Sequence, residues 1–309
     1  MSLAMLLNII FAALSQAAVL SLVTLGIVLI FRTSYTTNFA QGSIGTLMAF
    51  FVTMFYTFYL SAQFPALRGP ALVVIAILTG IILGFLLGLF IDIVLIRQSK
   101  FPNPLTKQMI TMGIVLVLTG LIPTIYADVI DHPPTPRPLS TEIWRIPVSG
   151  GTFTIPVHNF LTIVIAIVVI GTIFALLKYT KWGLGVRATA SNERVASMMG
   201  VNTRFITAMS WGIAAGIGSL AAALYAPSQQ TLTVGMMVFM QVNGFLAAVL
   251  GGFTTFFGPV VGAIMIPLLT VFLYRVDNLW NIAMVYMIIL LIVLIKPVGL
   301  FGKKIAKKV

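Results

Sequence analysis

Cysteine is absent from this 309-residue chain, and charged residues make up only 8% of it. Without cysteine there is neither a disulfide framework nor a thiolate metal site. A soluble globular domain has about a quarter charged residues, so this composition argues against one. Apolar residues are abundant instead: 60% of the chain is hydrophobic and the mean hydropathy is +1.10. These values indicate a membrane protein.

Motifs for chemistry are also missing. The sequence has no G-x-x-x-x-G-K-[ST] phosphate-binding loop and no nucleophile–base combination, so ATP would have to be bound by another chain. His132 and His158 lie near acids, but their spacing does not suit a metal site. Asp92 is the one acid inside an apolar run, and we expect it to pair with Arg97, about one turn away. The apolar runs therefore offer no free carboxylate for proton coupling.

Nine apolar runs are separated by short polar breaks, and several exceed the roughly 18 residues that mark a membrane-spanning helix. They cover residues 9–31, 42–62, 71–96, 107–127, 158–177, 205–225, 236–251, 258–274 and 280–296. We predict an all-α fold: a polytopic transmembrane helical bundle of about eight or nine spans, forming one permease-like domain over residues 1–309. The first run lacks the basic start and cleavage site of a signal peptide, so we expect it to be retained.

The basic residues are divided unequally between the two sides of the predicted bundle. Alternation of the runs places four of the 18 cations on one side: Arg68, Arg137, Arg145 and Arg275. The opposite side is then cytoplasmic by the positive-inside rule, and it includes segment 178–204 and the C-terminus. The proline-rich segment 128–158 is external, with a possible hairpin around Ser149–Gly151. Topology accounts for the +12 net charge, and no nucleic-acid partner is expected.

Segment 178–204 is the longest basic interruption of the apolar sequence. Within it we predict a short helix with Ser191 as N-cap, Glu193 in the first turn and Gly200 in the left-handed closing position. Its small apolar face would consist of Val195, Met198 and Met199. Such a helix between two spans suits docking of a cytoplasmic partner. The alternative is an ordinary loop whose cations only set the topology.

Uncharged polar side chains interrupt three of the runs and are the candidates for a substrate pathway. They are Gln16, Asn38, Gln41, Ser43, Gln241 and Asn243. The neighbouring glycines predict two broken or re-entrant helices, which in transporters expose backbone groups to a water-lined cavity. These glycines are Gly42, Gly45, Gly251, Gly252 and Gly258. The alternative is helix packing, in which glycine allows close approach and an amide bonds to a neighbouring helix.

Four blocks of the chain, Asn38–Ser43, Lys181–Asn202, Ala247–Pro259 and Lys296–Gly302, follow one another with a familiar order and spacing. In these blocks the chain resembles the LivH-type permease of branched-chain amino acid ABC importers. The resemblance covers nearly the whole chain. Gln41 stands where that family usually has histidine, and Ser43 where it usually has an acid. The loss of this titratable pair weakens any transfer of substrate identity.

The resemblance implies a membrane subunit of an ATP-driven importer rather than an enzyme. It would work by alternating access with a second, homologous or identical permease, two cytoplasmic ATP-binding subunits and an extracytoplasmic solute-binding protein. It would lie among the lipids of a bacterial or archaeal inner membrane, and it would need no cofactor because its partners bind ATP. The ATPase-coupling residues would be Arg187, Ser191, Asn192, Glu193, Arg194, Val195, Met198, Met199 and Gly200.

The sequence does not identify the transported solute. Branched-chain amino acids are the default that the resemblance implies, and urea, short amides or another small solute are alternatives within the same family. An ion-coupled secondary transporter, a passive channel and a structural membrane scaffold are alternatives of other classes.

Overall fold

The computed structural model describes residues 2–64, 69–99 and 103–302. In chain order its helices are α1 (Leu3–Ser34), α2 (Gln41–Gln63), α3 (Pro70–Ile96), α4 (Pro104–Ile125), α5 (Val157–Tyr179), α6 (Lys181–Ser191), α7 (Glu193–Met198), α8 (Thr203–Tyr225), α9 (Val238–Gly251), α10 (Phe257–Tyr274) and α11 (Asn281–Ile295). Among the described residues, α1–α5, α8 and α10 are long and apolar enough to cross a membrane, whereas α9 and α11 are shorter apolar helices. The predicted polytopic helical fold is confirmed.

Two of the long helices include turns of π-helix. Residues Phe55–Leu60 within α2 and Ile91–Ile96 at the end of α3 adopt this wider winding. Short 3-10 turns follow α4, at Ala127–Val129, and α8, at Ala226–Gln229. The predicted external segment contains an antiparallel hairpin of strands β1 (Ile143–Val148) and β2 (Gly151–Pro156), in which Val148 is paired with Gly151.

Helix starts follow local sequence chemistry. The side chain of Asn103 accepts a hydrogen bond from the Thr106 N–H at 2.7 Å, and the side chain of Ser2 caps α1 in the same way at the Met5 N–H. Proline occupies the first position of both α3 and α4, where its missing N–H leaves no bond unmade. Helices α3 and α4 thus begin one and three residues before the predicted runs, and α1 begins six residues before its run.

The core is built around α1 and α8. Leu22, Leu25 and Ile27 of α1 have no exposed surface or almost none, and Trp211 and Ala214 at the centre of α8 are equally buried. In contrast, α4, α5 and α11 present large apolar side chains outward, such as Leu116, Ile167 and Ile295. An apolar exterior around a buried core suits helices that face lipid.

A stripe of glycines brings α3 against its neighbours. Gly80, Gly84 and Gly88 recur every four residues and therefore lie on one face of α3. A β-carbon at Gly84 would clash with the Ser219 side chain, and one at Gly88 would lie 2.5 Å from the Trp211 carbonyl oxygen. The small-residue repeat thus allows α3 to pack closely on α8. The G-x-x-x-G pattern was available in the sequence as a signal for this contact.

The hairpin and the basic segment lie at opposite ends of α1. At the start of α1, the Asn8 Oδ1 accepts hydrogen bonds from Thr154, 2.8 Å from its backbone nitrogen. At the other end, the Tyr35 hydroxyl donates to the Ala190 carbonyl at 2.6 Å. Asn8 and Tyr35 are 27 residues apart along α1, which separates the two contacts by about 40 Å. The assignment of these ends to the outside and the cytoplasm remains a prediction from charge. Of the cations counted for it, Arg68, Lys100, Lys303, Lys304, Lys307 and Lys308 lie outside the described residues.

Candidate functional site: a projecting helix and two polar regions

The basic segment folds into two short helices mounted on the ends of the core helices. Thr180 caps α6 by accepting a hydrogen bond from the Gly183 N–H at 3.1 Å. Val186 of α6 is fully buried, and a β-carbon at Gly185 would lie 2.6 Å from Ile206 of α8. With the Tyr35–Ala190 hydrogen bond, these contacts tie α6 to both α1 and α8.

The short helix α7 begins one residue later than predicted. Ser191 is the last residue of α6, so its assignment as the N-cap is wrong. Asn192 caps α7 instead, because it has extended backbone geometry and its Oδ1 accepts from the Val195 N–H at 3.1 Å. Gly200 has the predicted left-handed conformation, with φ of 83°, and the Val201 N–H reaches back to the Ala196 carbonyl.

Most of α7 projects from the protein. Ala196 is its one buried residue, while Val195, Met198 and Met199 are 52%, 77% and 80% exposed. Arg187, Ser191, Asn192, Glu193, Arg194 and Gly200 are also exposed. A groove of about 630 Å³ lies between α7 and Tyr35 at the end of α1, and its lining includes Glu193, Arg194 and Met198. The predicted coupling residues are thus all accessible, and they include both apolar and charged side chains.

Asn38, Gln41 and Gln241 come together in the interior. The Asn38 Nδ2 donates to the Gln41 Oε1 at 3.1 Å, and the Gln41 Nε2 donates to the carbonyl of Ala214, halfway along α8. The carboxamide of Gln241 accepts from the Gly42 N–H at 2.5 Å and donates to the Phe39 carbonyl. The start of α2 therefore lies deep in the bundle and is joined to α9 by a side chain.

This network explains how non-helical backbone is tolerated there. Residues 35–40 return from the end of α1 to the interior, where free N–H and C=O groups would be costly. The Asn38 Oδ1 accepts from the Ala40 N–H, and the Thr111 hydroxyl accepts from the Phe39 N–H. The polar side chains thus provide hydrogen-bond partners for the free backbone N–H and C=O groups at this helix start. Ser43, in the first turn of α2, is 9% exposed.

The prediction that Gly42 and Gly45 break a helix is wrong. Both lie inside the continuous α-helix Gln41–Met54, and the interruption comes before them. Their role is close approach: a β-carbon at Gly42 would clash with the Gln241 side chain, and one at Gly45 would lie 3.1 Å from the Gly218 carbonyl. For these two glycines the packing alternative holds.

The later glycines surround a true interruption between α9 and α10. Gly251 ends α9 and Gly252 has φ of 97°, while Gly258 lies in the first turn of α10. The C-terminal segment packs on this break, because the Leu300 and Phe301 N–H groups donate to the Leu250 and Gly251 carbonyls. The break lies near the Tyr35 end of α1, since the rings of Phe31 and Phe253 are 4.4 Å apart.

Helix α9 is too short to cross a membrane by itself. Its 14 residues span about 21 Å, against about 30 Å of hydrocarbon. Gly244 packs against Val23 and Ile27, so α9 runs beside the second half of α1. The predicted span 236–251 is therefore a short helix that starts inside the bundle. The α-helical chain is interrupted on both sides of it, at residues 226–237 before Gln241 and at residues 252–256 after it.

Gln16 and Asn243 line a different space, a cavity of about 220 Å³ between α1, α9, α10 and α11. The Asn243 Oδ1 accepts a hydrogen bond from the Tyr286 hydroxyl at 3.3 Å, and its Nδ2 donates to the Phe239 carbonyl. Thr270 also lines this cavity. Tyr286 and Thr270 are polar residues that the sequence analysis missed, because a single hydroxyl in an apolar run gives no pattern.

Two further buried titratable side chains, Asp92 and His158, have structural partners. Asp92 is 3% exposed and pairs with Arg97 at 2.6 Å, as predicted, and Arg97 also donates to the Arg204 carbonyl. His158 joins two elements: its Nδ1 accepts from the Leu139 N–H, and its Nε2 lies 3.0 Å from the Leu224 carbonyl. In the part of the chain that the structure describes, no three metal-ligating side chains form a group.

These features define a multi-pass helical membrane protein, with a short helix in its interior and an exposed helix at one end. Comparison with known families places it more closely. Residues 9–294 match the family described as "Branched-chain amino acid transport system / permease component". The chain therefore belongs to this permease family, as the four sequence blocks had predicted.

Individual relatives agree with that placement. The chain is 21% identical over 304 residues to the high-affinity branched-chain amino acid transport system permease protein BraD of Pseudomonas aeruginosa. This alignment covers 96% of the present chain and 95% of BraD. It is 25% identical over 257 residues to the probable permease protein LivH of Methanocaldococcus jannaschii, covering 82% and 76%. The match to LivH of Escherichia coli is 26% over 141 residues, covering 45% and 44%. No solved structure is a significant match.

Proposed function

We propose that this chain is the membrane-spanning permease subunit of an ATP-driven importer of small solutes, with branched-chain amino acids as its first candidates. The observation that carries the proposal is the exposed helix α7, mounted on core helices in a member of a transport-permease family. The relatives named as branched-chain amino acid permeases support the choice of solute. ATP would be bound by partner subunits, and this chain would act as a transport subunit rather than an enzyme.

The partners follow from the same family. They would be a second permease, homologous or identical, two cytoplasmic ATP-binding subunits and an extracytoplasmic solute-binding protein. The protein would lie in the inner membrane of a bacterium or archaeon, with α7 and the C-terminus in the cytoplasm and the β1–β2 hairpin outside.

Docking on α7 would use its apolar and charged residues together. Val195, Met198 and Met199 are side chains that would enter an apolar groove of the ATP-binding subunit, and methionine adapts well to such surfaces. Glu193 and Arg194, exposed beside them, would set orientation through charge. A helix docked in a groove would transmit closure of the ATPase pair to α1 and α8 through α6, so that alternating access follows as a rigid-body movement.

The first experiment compares Arg194→Glu and Glu193→Ala with Arg145→Glu in the complex with its ATP-binding subunits. Arg145 is exposed on the hairpin, at the other end of α1. We expect the two α7 variants to retain less of the ATP-binding subunits and to reduce solute-stimulated ATP hydrolysis at least several-fold. Arg145→Glu should retain the ATP-binding subunits as the unmodified protein does. Normal coupling in both α7 variants would contradict this role for α7.

Orientation is tested with single cysteines, because the chain has no cysteine of its own. Ser197→Cys lies on α7 and Ser149→Cys in the hairpin turn, and both positions are exposed. In intact cells a membrane-impermeant thiol reagent should label Ser149→Cys only, and after permeabilisation it should label both. Labelling of Ser197→Cys from outside would rule out an ATPase partner at this surface.

The neighbouring reading frames provide a simpler check of the class. A second permease, ATP-binding subunits with phosphate-binding loops and a secreted binding protein are expected beside this chain. Uptake driven by a proton or sodium gradient through the purified chain alone would favour a secondary transporter instead. Conduction of solute without ATP or partners would favour a passive channel.

A further inference from the structure

Two cavities meet at Gln16, near the middle of α1. The outer one, about 260 Å³, lies at the hairpin end and is lined by Ser15, Asn159, Ser228 and Gln229 as well as Gln16. The inner one is the cavity of about 220 Å³ that reaches Asn243. Gln16 lines both cavities and is exposed. The Gln16 side chain therefore lies between one cavity at the hairpin end and another that reaches α9.

The lining of the inner cavity divides by chemistry. Its polar groups are the amides of Gln16 and Asn243 and the hydroxyls of Thr270 and Tyr286, and none of the lining residues is charged. The rest of the wall is apolar, with Leu20, Ile266 and Val285 among its residues. At about 30 Å³ for each water molecule, the volume corresponds to about seven waters, so a solute of fewer than about ten heavy atoms fits.

The absence of charge in the lining restricts the ligand. A net charge at this depth would have no counter-ion among the lining residues and would be costly. A molecule without net charge, either neutral or zwitterionic, would use the amides and hydroxyls as hydrogen-bond partners and place its apolar part against Leu20 and Ile266. The Asn38–Gln41–Gln241 network differs, because its residues do not line this cavity and its Gln41 and Gln241 amides join α2 to α8 and α9. The Asn243 amide is bonded to Phe239 and Tyr286 but lines the cavity as well.

We propose that the inner cavity binds the transported solute, a small molecule without net charge that carries an apolar body, and that Gln16 separates it from the outer cavity. This proposal rests on the proposed transport function and assigns a place and a ligand class within it. It also assigns Tyr286 and Thr270 to solute binding, in contrast to Gln41 and Gln241, which hold the helix start of α2.

The test uses Thr270→Cys and Thr172→Cys in the complete importer with its binding protein. The two threonines are matched, since each hydroxyl donates to the carbonyl four residues earlier, but Thr172 is exposed on the outer helix α5. A hydrophilic thiol reagent should modify Thr270→Cys, because the cavity admits water, and should leave Thr172→Cys unmodified in lipid. Leucine or valine at high concentration should slow the modification of Thr270→Cys at least several-fold, whereas lysine and glutamate should not.

Each outcome decides the proposal. No modification of Thr270→Cys, no protection by any uncharged or zwitterionic solute, or equal protection by lysine or glutamate overturns it. If ATP-driven uptake is intact while protection is missing, the cavity assignment fails and the proposed function stands. If the complex shows no ATP-driven uptake of any of these solutes, the proposed function itself fails.

A second variant gives an independent readout. Tyr286→Phe removes only the hydroxyl that donates to Asn243, so the fold should be retained. We expect the KM for uptake to rise about two- to tenfold, the value of one hydrogen bond. An unchanged KM together with unprotected Thr270→Cys would exclude the cavity as the solute site.

Discussion

The Tyr35 hydroxyl donates a hydrogen bond of 2.6 Å to the Ala190 carbonyl, across 155 positions of sequence. Tyr35 ends α1 with φ of 50°, and Ala190 lies near the end of α6. The bond joins α1, the longest helix of the core, to α6, the helix that directly precedes α7. If a docked ATP-binding subunit moved α7, the movement would therefore be transmitted to α1 by this hydrogen bond as well as through α8.

Removing this contact should weaken coupling without preventing folding. Tyr35→Phe deletes one hydrogen bond, which contributes about 1 kcal/mol. We expect solute-stimulated ATP hydrolysis to fall while basal hydrolysis and complex assembly are retained. Tyr179→Phe is the control, because Tyr179 is 76% exposed at the end of α5. Equal loss in both variants would mean that the Tyr35 hydroxyl has no special role.

The helix cap of α7 should matter more for transport than for stability. Asn192→Ala removes the acceptor of the Val195 N–H and should destabilise α7 by about 1 kcal/mol. Asn103→Ala removes an equivalent cap from a different helix, α4. ATP-driven uptake should drop in Asn192→Ala only, measured beside the thermal stability of both variants. Similar uptake in the two variants would contradict a docking role for an ordered α7.

Helices α2 and α9 pack so closely at Gly42 that an added methyl group there should destabilise the protein. Gly42→Ala places a β-carbon against the Gln241 side chain and should destabilise the protein by about 1–3 kcal/mol. Gly113→Ala, in α4, meets no atom within 4 Å and should be neutral or stabilise by up to about 1 kcal/mol. Thermal unfolding in detergent measures both. If Gly42→Ala is as stable as Gly113→Ala, the helices are not in contact as described.

Asp92 and Arg97 should behave as a coupled pair. Arg97→Met leaves a carboxylate that is 4% exposed without its partner and should destabilise by about 3 kcal/mol, the low end for buried pairs because Arg97 is 33% exposed. Adding Asp92→Asn removes the unpaired charge and should restore much of the stability. Thermal unfolding of both single variants and of the double variant measures the interaction. Simple additivity would show that the pair is not coupled.

Most of the architecture could be predicted from the sequence because it follows from local composition. Apolar runs predicted the positions of the spanning helices, and Asp92 was correctly paired with Arg97 from their spacing alone. Gly200 closes α7 as predicted, since a left-handed position after a helix favours glycine. The cap was misplaced by one residue because serine and asparagine are both good N-caps and only the course of α6 distinguishes them.

The sequence alone determined that this chain lies in a membrane, which of its segments are helical and to which permease family it belongs, because hydropathy and motif blocks are properties of neighbouring residues. The tertiary structure decided that Gln41 and Gln241 hold a buried helix start while Gln16 and Asn243 line an open cavity. All four are amides in apolar runs, and their sequence context does not separate them. What separates them is which polar groups of distant helices are within hydrogen-bonding distance, and folding alone sets that distance.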